Sequence, residues 1–167
     1  MKTPHAMSVS ARLATREDLT ELIRMYDALA TEQGAIRAIW PAASGLPAPF
    51  DTALGGLIGN DNAVAVVGMI DDVPVGFLLA LGEPLAAPRD DERVGSIRLI
   101  FTDHEARGVG VGAAMLDLAE SELRQRGVTL FDAHVSPGHR LAKNFFESHG
   151  FKAREITMHR SDEHVGQ

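Results

Sequence analysis

Three glycines alternate with valines in a short segment that could bind an anion. The segment reads Arg107-Gly108-Val109-Gly110-Val111-Gly112 and lies between an apolar run and a stretch with helical spacing. Because glycine has no Cβ, such a loop can turn several backbone N–H groups toward one point. The N-terminus of the following helix adds a partial positive charge. The pattern therefore indicates a phosphate or pyrophosphate site.

The spacing of the glycines alone leaves two alternatives open. A Rossmann loop has the pattern G-x-G-x-x-G early in a strand–helix unit, with an acidic residue about 20 residues later. Here the pattern is G-x-G-x-G, late in the chain, and no Gly-Lys-Ser or Gly-Lys-Thr of a Walker A loop is present. The structural alternative is a turn that merely lets a helix pack closely on a strand. A nucleotide-binding domain is the functional alternative.

Four of the chain's histidines do not suggest a metal site. His104, His149, His159 and His164 lack metal-ligand spacing such as H-E-x-x-H, and the chain has no cysteine. Thiolate ligands, disulfides and a cysteine nucleophile are therefore excluded together. We predict no bound metal.

Composition indicates one ordinary globular domain. The chain has 167 residues, of which 45% are apolar and 23% charged, with a formal net charge of −7. No Lys/Arg cluster suggests nucleic-acid binding, and no apolar run suggests a membrane span or signal peptide. We expect a cytoplasmic protein with a domain at 8–162, a disordered tail at 1–7 and a C-terminal tail at 163–167. The acidic charge favours an amine or basic peptide as partner.

The elements that must position the loop alternate between strands and helices. A strand over 8–14 precedes a helix that Thr15 and Asp18 begin as a capping box. A short helix follows over 50–58, then a hairpin of 63–70 and 75–81 that turns at Asp71-Asp72, and a strand over 94–102. After the loop come a helix ended by Gly127 and a strand over 128–135. The chain is completed by a helix, which Ser136-Pro137 opens and Gly150 ends, and by a final strand within 151–160.

Two motifs in this order resemble those of the GNAT N-acetyltransferases. The loop resembles that family's Q/R-x-x-G-x-G/A pattern through Arg107, Gly110 and Gly112. Further on, Ala142-x-x-Phe145-Phe146-x-x-x-Gly150-Phe151 resembles its A-x-x-(aromatic)-Y-x-x-x-G-F pattern. The resemblance implies an α/β GNAT fold, with a central mixed, mostly antiparallel sheet of six to seven strands and about four helices.

The resemblance also implies acetyl-CoA as co-substrate and an N-acetyltransferase that acts by direct attack of an amine. The loop amides would bind the pyrophosphate. The end of the strand before the loop, where two parallel strands would splay apart, would line the pantetheine and supply an oxyanion donor. The acceptor would be a small-molecule amine or a peptide amine, and a homodimer would form by family analogy. The residues so assigned to the co-substrate are Ile100, Phe101, Thr102, Arg107, Gly108, Val109, Gly110, Val111, Gly112, Ala113, His139, Ala142 and Phe146.

The last helix departs from the family pattern at two positions. Counting places His139 where the family has Asn, and Phe146 where it has Tyr. The spacing of His139, Ala142 and Phe146 predicts that they share one face of the helix, and we expect this face to contact the co-substrate. Phe146 has no proton to give to a leaving thiolate, and the only tyrosine is Tyr26 in the first helix. A CoA-binding sensor or regulatory module without turnover is therefore a second hypothesis.

Proton removal from the acceptor requires a base. An amine with a pKa near 10.4 is neutral in only roughly one molecule in 2,500 at pH 7. His134, near a strand end where some relatives have a glutamate, has a suitable side chain because an imidazole titrates near neutrality. Glu83 is the reserve base or an acceptor-binding carboxylate. The alternatives are a strand histidine bonded to its neighbours and a solvated glutamate.

Overall fold

A computed structural model of the protein describes residues 6–36, 46–85 and 92–160. Residues 1–5 and 161–167, which make up most of the predicted tails, lie outside these ranges, and so does His164. Within them the fold is α/β. Five strands form one sheet: β1 (Val9–Leu13), β2 (Ala63–Ile70), β3 (Val73–Pro84), β4 (Arg93–Thr102) and β5 (Leu130–Ala133). Four α-helices accompany it: α1 (Leu19–Ala35), α2 (Phe50–Leu57), α3 (Val111–Gln125) and α4 (Arg140–Ser148).

The sheet is mixed and mostly antiparallel, as predicted. Its strands lie in chain order from β1 to β5, and only the β4–β5 pair is parallel. The helix α3 connects these two strands, because parallel neighbours need a crossover while antiparallel ones need only a turn. The β2–β3 turn is made by Asp71 and Asp72, whose φ angles of 47° and 64° suit a tight hairpin.

Each face of the sheet carries its own apolar core. On one face α1 and α2 cover side chains that include Val67, Phe77, Leu79, Leu99 and Phe101. On the other face α3 and α4 cover side chains that include Val64, Val66, Leu78, Ala80 and Ile97. This division follows from the alternation of side chains along a strand. Central strands buried on both faces explain why β2 reads as a nearly continuous apolar run.

The predicted capping box holds the start of the first helix in place. Thr15 N donates to Asp18 Oδ2 at 2.8 Å, and Arg12 in β1 donates two hydrogen bonds of 2.7 Å to the same carboxylate. These hydrogen bonds, Arg12 first, lower the pKa of Asp18, although burial opposes the shift. A short 3₁₀ turn over Arg16–Asp18 precedes α1. The capping residues therefore also join β1 to α1.

Three predictions about the elements need correction. The sheet has five strands over the described residues, fewer than the six to seven expected. The final strand within 151–160 is absent, because these residues form no backbone ladder with the sheet. Finally, α4 begins at Arg140 and not at Ser136-Pro137. Gly138, at a φ of 85°, interrupts the helical path and makes residues 136–139 a separate turn.

Candidate functional site

The site begins where β4 and β5 part. Their parallel pairing ends at Ile97 opposite Ala133, and the His134 amide makes one last bond to the Ile97 carbonyl at 3.0 Å. Beyond that point β4 continues to Thr102, with no strand beside it on the β5 side among the described residues. Backbone groups of Ile100–Thr102 are thereby left along an open edge. The predicted divergence of two parallel strands is present.

The glycine loop lies directly after this open edge. Gly108 and Gly110 have φ angles of 80° and 101°, which favour glycine, and Gly110 is the N-cap of α3. A Cβ at either position would meet nothing within 4 Å, so both glycines border open space. No side chain caps the N-terminus of α3, a helix of 15 residues. Its first backbone N–H groups therefore lie beside the open space at the loop.

A pocket of about 360 Å³ connects the open edge with the loop. Eleven of the thirteen residues predicted to contact the co-substrate line it: Ile100, Phe101, Thr102, Arg107, Gly108, Gly110, Val111, Gly112, Ala113, His139 and Ala142. It also has walls from α1, from the turn before the loop and from α4 that the sequence patterns did not indicate: Leu29, Glu32, Ala106, Leu141, Phe145 and His149. Residues far apart in the chain thus enclose one space of a size that suits a small molecule.

Two predicted contact residues do not line the pocket. Phe146 is only 3% exposed and packs in the core between α4 and the sheet, with Phe151 against it. Phe145 lines the pocket instead, and its ring lies 3.0 Å from where a Cβ of Gly112 would be. The face prediction was wrong for Phe146 because the pocket-facing stripe of α4 is made by residues such as Ala142 and Phe145, and Phe146 lies beside it on the side that packs against the sheet. Val109 is 40% exposed and does not line the pocket.

A carboxylate on α1 joins the loop to the start of α4. Glu32 Oε2 accepts a 2.5 Å hydrogen bond from Arg107 Nη2, and Glu32 Oε1 lies 3.4 Å from His139 Nε2. Burial alone would raise the pKa of Glu32, but hydrogen bonding to Arg107 and the charges of Arg107 and His139 hold it below its usual value. Glu32 therefore remains an anion inside the pocket. Nothing in the helical periodicity of α1 marks this residue.

Beyond the pocket, His134 lies in a polar cluster with Ser96, Arg98, Glu83 and Asp132. Its Nε2 is 2.8 Å from the buried hydroxyl of Ser96, and Arg98 donates a hydrogen bond to Glu83. Arg98 is the extra residue of a β-bulge, since the partners of Leu79 and Ala80 are Leu99 and Ile97. Bulges of this kind redirect side chains near functional sites. The two predicted proton-transfer residues, His134 and Glu83, are therefore brought into one cluster.

The surroundings of His134 favour its neutral form. Partial desolvation of the ring lowers its pKa below 6.5, and the Arg98 guanidinium adds to this effect. The Glu83 and Asp132 carboxylates act in the opposite direction more weakly. Asp132 is itself held by Arg154, which donates to it from Nε at 2.8 Å and from Nη2 at 2.5 Å. At neutral pH the imidazole is therefore unprotonated.

Tyr26 lies apart from the pocket. Its ring stacks on Phe50 with centroids 3.6 Å apart and an interplanar angle of 11°. It joins α1 to α2 and is not among the side chains that line the pocket.

In the three described ranges, no helix has the length and apolar character to cross a membrane, and no group of three or more His, Asp or Glu side chains could hold a metal ion.

Comparison with known proteins identifies a family model for most of this arrangement. Residues 22–151 match the model described as the Acetyltransferase (GNAT) family. The match includes α1 from Leu22 onward, the open edge, the glycine loop and α4, and so contains the residues that line the pocket. A search of curated protein sequences gives no significant match.

Several solved structures share the fold. An aminoglycoside N-acetyltransferase, AAC(6')-Iy in complex with CoA, has a TM-score of 0.76 at 18% identity, covering 97% of this chain and 99% of that one. A predicted acetyltransferase with acetyl-CoA from Clostridium acetobutylicum has 0.71 at 17% identity, covering 95% and 100%. A ribosomal-protein-alanine N-acetyltransferase from Brucella melitensis biovar Abortus 2308 has 0.68 at 19% identity, covering 92% and 99%. These likenesses establish the fold.

Proposed function

The chain belongs to the GNAT acetyltransferase family, and we propose on this basis that it transfers the acetyl group of acetyl-CoA to an amine. The observation that carries the proposal is the pocket itself. It lies at the open edge of β4 and ends at an uncapped helix N-terminus preceded by two left-handed glycines. An acyl thioester carrying phosphates needs these two features together.

The loop fits the phosphates of such a co-substrate. Open space borders Gly108 and Gly110, so that a phosphate can approach the backbone as closely as an amide hydrogen bond requires. The backbone of Ile100, Phe101 and Thr102 would line the pantetheine, with an amide of this edge as oxyanion donor. His139 and Ala142 would line the same channel from α4. Bound acetyl-CoA supplies an activated acetyl group as its thioester.

His134 is the base in this proposal. If Ser96 accepts a hydrogen bond from Nε2–H, the lone pair lies on Nδ1, from which it can take a proton of the amine. The amine nitrogen then bonds to the acetyl carbonyl carbon, the carbon–sulfur bond breaks, and the sulfur leaves as thiolate. The amide and CoA are the products once the thiolate is protonated. Glu83 is the reserve base, and its contact with Arg98 favours the lesser role of balancing charge in the cluster.

The first experiment measures binding of acetyl-CoA by calorimetry, with NAD and ATP as controls for the nucleotide-binding alternative. We expect micromolar binding of acetyl-CoA alone. Absence of binding would refute the assignment of the loop, and a preference for NAD or ATP would favour the alternative. A panel of aminoglycosides, amino acids and peptides then tests acetyl transfer to an amine.

A second experiment tests the base. We expect His134→Ala to lower kcat/KM by about 100-fold or more, as loss of a general base typically does. The wild-type rate should fall as the pH decreases below the lowered pKa of His134, and the rate of the variant should not show this decrease. His104→Ala is the matched control, because His104 is exposed and outside the pocket. An unchanged pH profile in His134→Ala would reject the base.

The second candidate function is a sensor that binds acetyl-CoA without turnover. It is favoured by Phe146, which has no hydroxyl and lies in the core, and by the stacking of Tyr26 on Phe50 away from the pocket. Neither residue is placed to protonate a leaving thiolate. Tight binding without transfer to any amine of the panel would support the sensor, and turnover with any of them would exclude it.

A homodimer formed through the C-terminal segment is part of the proposal. Ile156 and Met158 are 78% and 87% exposed, two residues apart in a segment that is neither helix nor strand. The outer edge of β5 has no strand partner in the described part of the chain. Pairing with a second copy would cover both features. Light scattering should give a dimer mass for the wild type and a monomer mass for Ile156→Asp.

A further inference from the structure

The side chain of Arg107 is directed toward α1. Its Nε donates to the Thr102 carbonyl at 2.9 Å, and its Nη2 donates to Glu32 at 2.5 Å. Its Cζ lies 5.7 Å from the centroid of the Phe101 ring, which belongs to the core beneath α1. Backbone, carboxylate and aromatic ring thus hold the guanidinium from three sides. It is oriented by these groups before any anion reaches the loop.

Glu32 poses an electrostatic problem for the proposed function. It is an ionised carboxylate in the wall of the pocket that would admit a co-substrate with several phosphate charges. Like charges within a pocket of low polarity repel each other strongly. His139 lies 3.4 Å away at the other oxygen, whereas Arg107 makes a short, charge-assisted hydrogen bond. Only Arg107 in this contact set carries a permanent positive charge.

Building on the proposed function, we propose that Arg107 is a positioning residue that orients and neutralises Glu32, and is not itself a pyrophosphate ligand. The pair keeps a carboxylate at the junction of α1, the loop and α4 while leaving that wall of the pocket without net charge. Phosphate binding then rests on the backbone amides of the loop. The family resemblance, by contrast, assigns Arg107 directly to the co-substrate.

The two roles predict different results in a cycle of charge-removing variants. If Arg107 is a phosphate ligand, its loss weakens acetyl-CoA binding whether or not Glu32 is charged. If it compensates Glu32, its loss matters only while the carboxylate remains. Glutamine suits both positions: it is close in size to glutamate, and the family pattern accepts it at the arginine position. The cycle is therefore wild type, Arg107→Gln, Glu32→Gln and the double variant.

Calorimetric titration of each full-length protein with acetyl-CoA is the measurement, with thermal unfolding followed by circular dichroism to confirm folding. Arg107→Gln should weaken binding about tenfold, the effect of one uncompensated charge near the phosphates. Glu32→Gln should bind as tightly as the wild type or more tightly, and the double variant should match Glu32→Gln to within about threefold. Arg24→Gln is the matched control, since Arg24 also pairs α1 with the end of β4, at Asp103, outside the pocket lining.

Loss of affinity on Arg107→Gln in the wild type but not in the Glu32→Gln background, with normal binding by Arg24→Gln, supports the inference, because loss of a direct ligand would weaken binding in both backgrounds. A double variant as weak as Arg107→Gln overturns it, and so does unchanged binding by Arg107→Gln. Equal weakening by Arg24→Gln would assign the effect to the attachment of α1 and overturn it as well. Failure of the proposed function looks different: the wild type itself would not bind acetyl-CoA, and the inference would fall with it.

Discussion

Replacing Gly110 by alanine tests the loop through backbone conformation alone. Gly110 has φ 101° and ψ 4°, in the left-handed region, and a Cβ built there meets nothing within 4 Å. The substitution therefore adds no collision with the protein and removes no side chain. It penalises only the backbone conformation that caps α3 and turns the loop amides toward the pocket.

The size of the effect follows from this conformation. A residue with a Cβ costs about 1–2 kcal/mol in the left-handed region, where glycine is nearly free of strain. The free loop can relax to relieve the strain, but a phosphate on its amides requires the original geometry. Acetyl-CoA affinity should therefore fall about 5- to 30-fold, since 1.4 kcal/mol corresponds to a factor of ten.

Gly127→Ala provides a matched control. Gly127 ends α3 with φ 83°, and its Cβ position is also open to 4 Å, but it is at the far end of the helix and outside the pocket lining. Gly127→Ala should lower the thermal unfolding midpoint by a few degrees, about what 1–2 kcal/mol does in a domain of this size, and Gly110→Ala should lower it less because its free loop relaxes. Only Gly110→Ala should weaken acetyl-CoA binding in calorimetry.

Two results would refute the reasoning. If Gly110→Ala leaves acetyl-CoA affinity unchanged while its unfolding midpoint stays close to that of the wild type, the loop has relaxed without consequence and its geometry is not required for binding. If Gly127→Ala weakens binding as much as Gly110→Ala does, the loss comes from general destabilisation of α3 and carries no information on the loop.

Three further predictions concern packing and titration. Asp18→Asn should cost about 2 kcal/mol of unfolding free energy at pH 7, measured by urea denaturation, because it removes charge-assisted hydrogen bonds to a buried carboxylate. Phe146→Ala should cost about 3–5 kcal/mol by leaving a core cavity, whereas Phe145→Ala should cost less and mainly weaken acetyl-CoA binding. Ser96→Ala should lower kcat about tenfold with little change in KM, measured at saturating acetyl-CoA, because His134 loses its tautomer-setting partner.

The pH dependence of Asp18→Asn follows from the direction of the shift. The folded-state pKa of Asp18 lies below the unfolded value of about 3.8, so the carboxylate stabilises the fold fully above the unfolded pKa. That stabilisation is lost as the pH falls through the folded pKa. The difference in unfolding free energy between wild type and Asp18→Asn should therefore disappear in acid. A difference that stays constant down to pH 2 would contradict the assignment of the effect to the ionised Asp18 carboxylate.

The predictions for Phe146 and Ser96 can also be contradicted by experiment. A Phe146→Ala variant as stable as the wild type would contradict the burial of this ring. A Ser96→Ala variant with wild-type kcat would show that the serine does not orient the imidazole. The proposed base would then rest on His134→Ala alone.

Local pattern was sufficient to predict most elements and the loop. The capping box at Thr15 and Asp18, the Asp71-Asp72 hairpin and the glycine end of α3 are each made by neighbouring residues, so short sequence spans specify them. The glycine loop is likewise a local backbone property. Family resemblance then predicted the mixed sheet and the open edge at Ile100–Thr102, and most residues assigned from it line the pocket.

Only the tertiary structure brought Glu32 to Arg107 and Arg98 to Glu83. Glu32 and Arg107 are 75 residues apart, and no helical or strand period relates them. The bulge that redirects Arg98 arises from the mismatch of two strands, which neither strand reveals alone. Helical counting likewise failed for Phe146, because packing against the sheet decides where the pocket-facing stripe of α4 ends. Sequence thus determined the backbone that can hold an anion, whereas long-range packing decided which charges and rings surround it, because those contacts depend on the relative placement of distant elements.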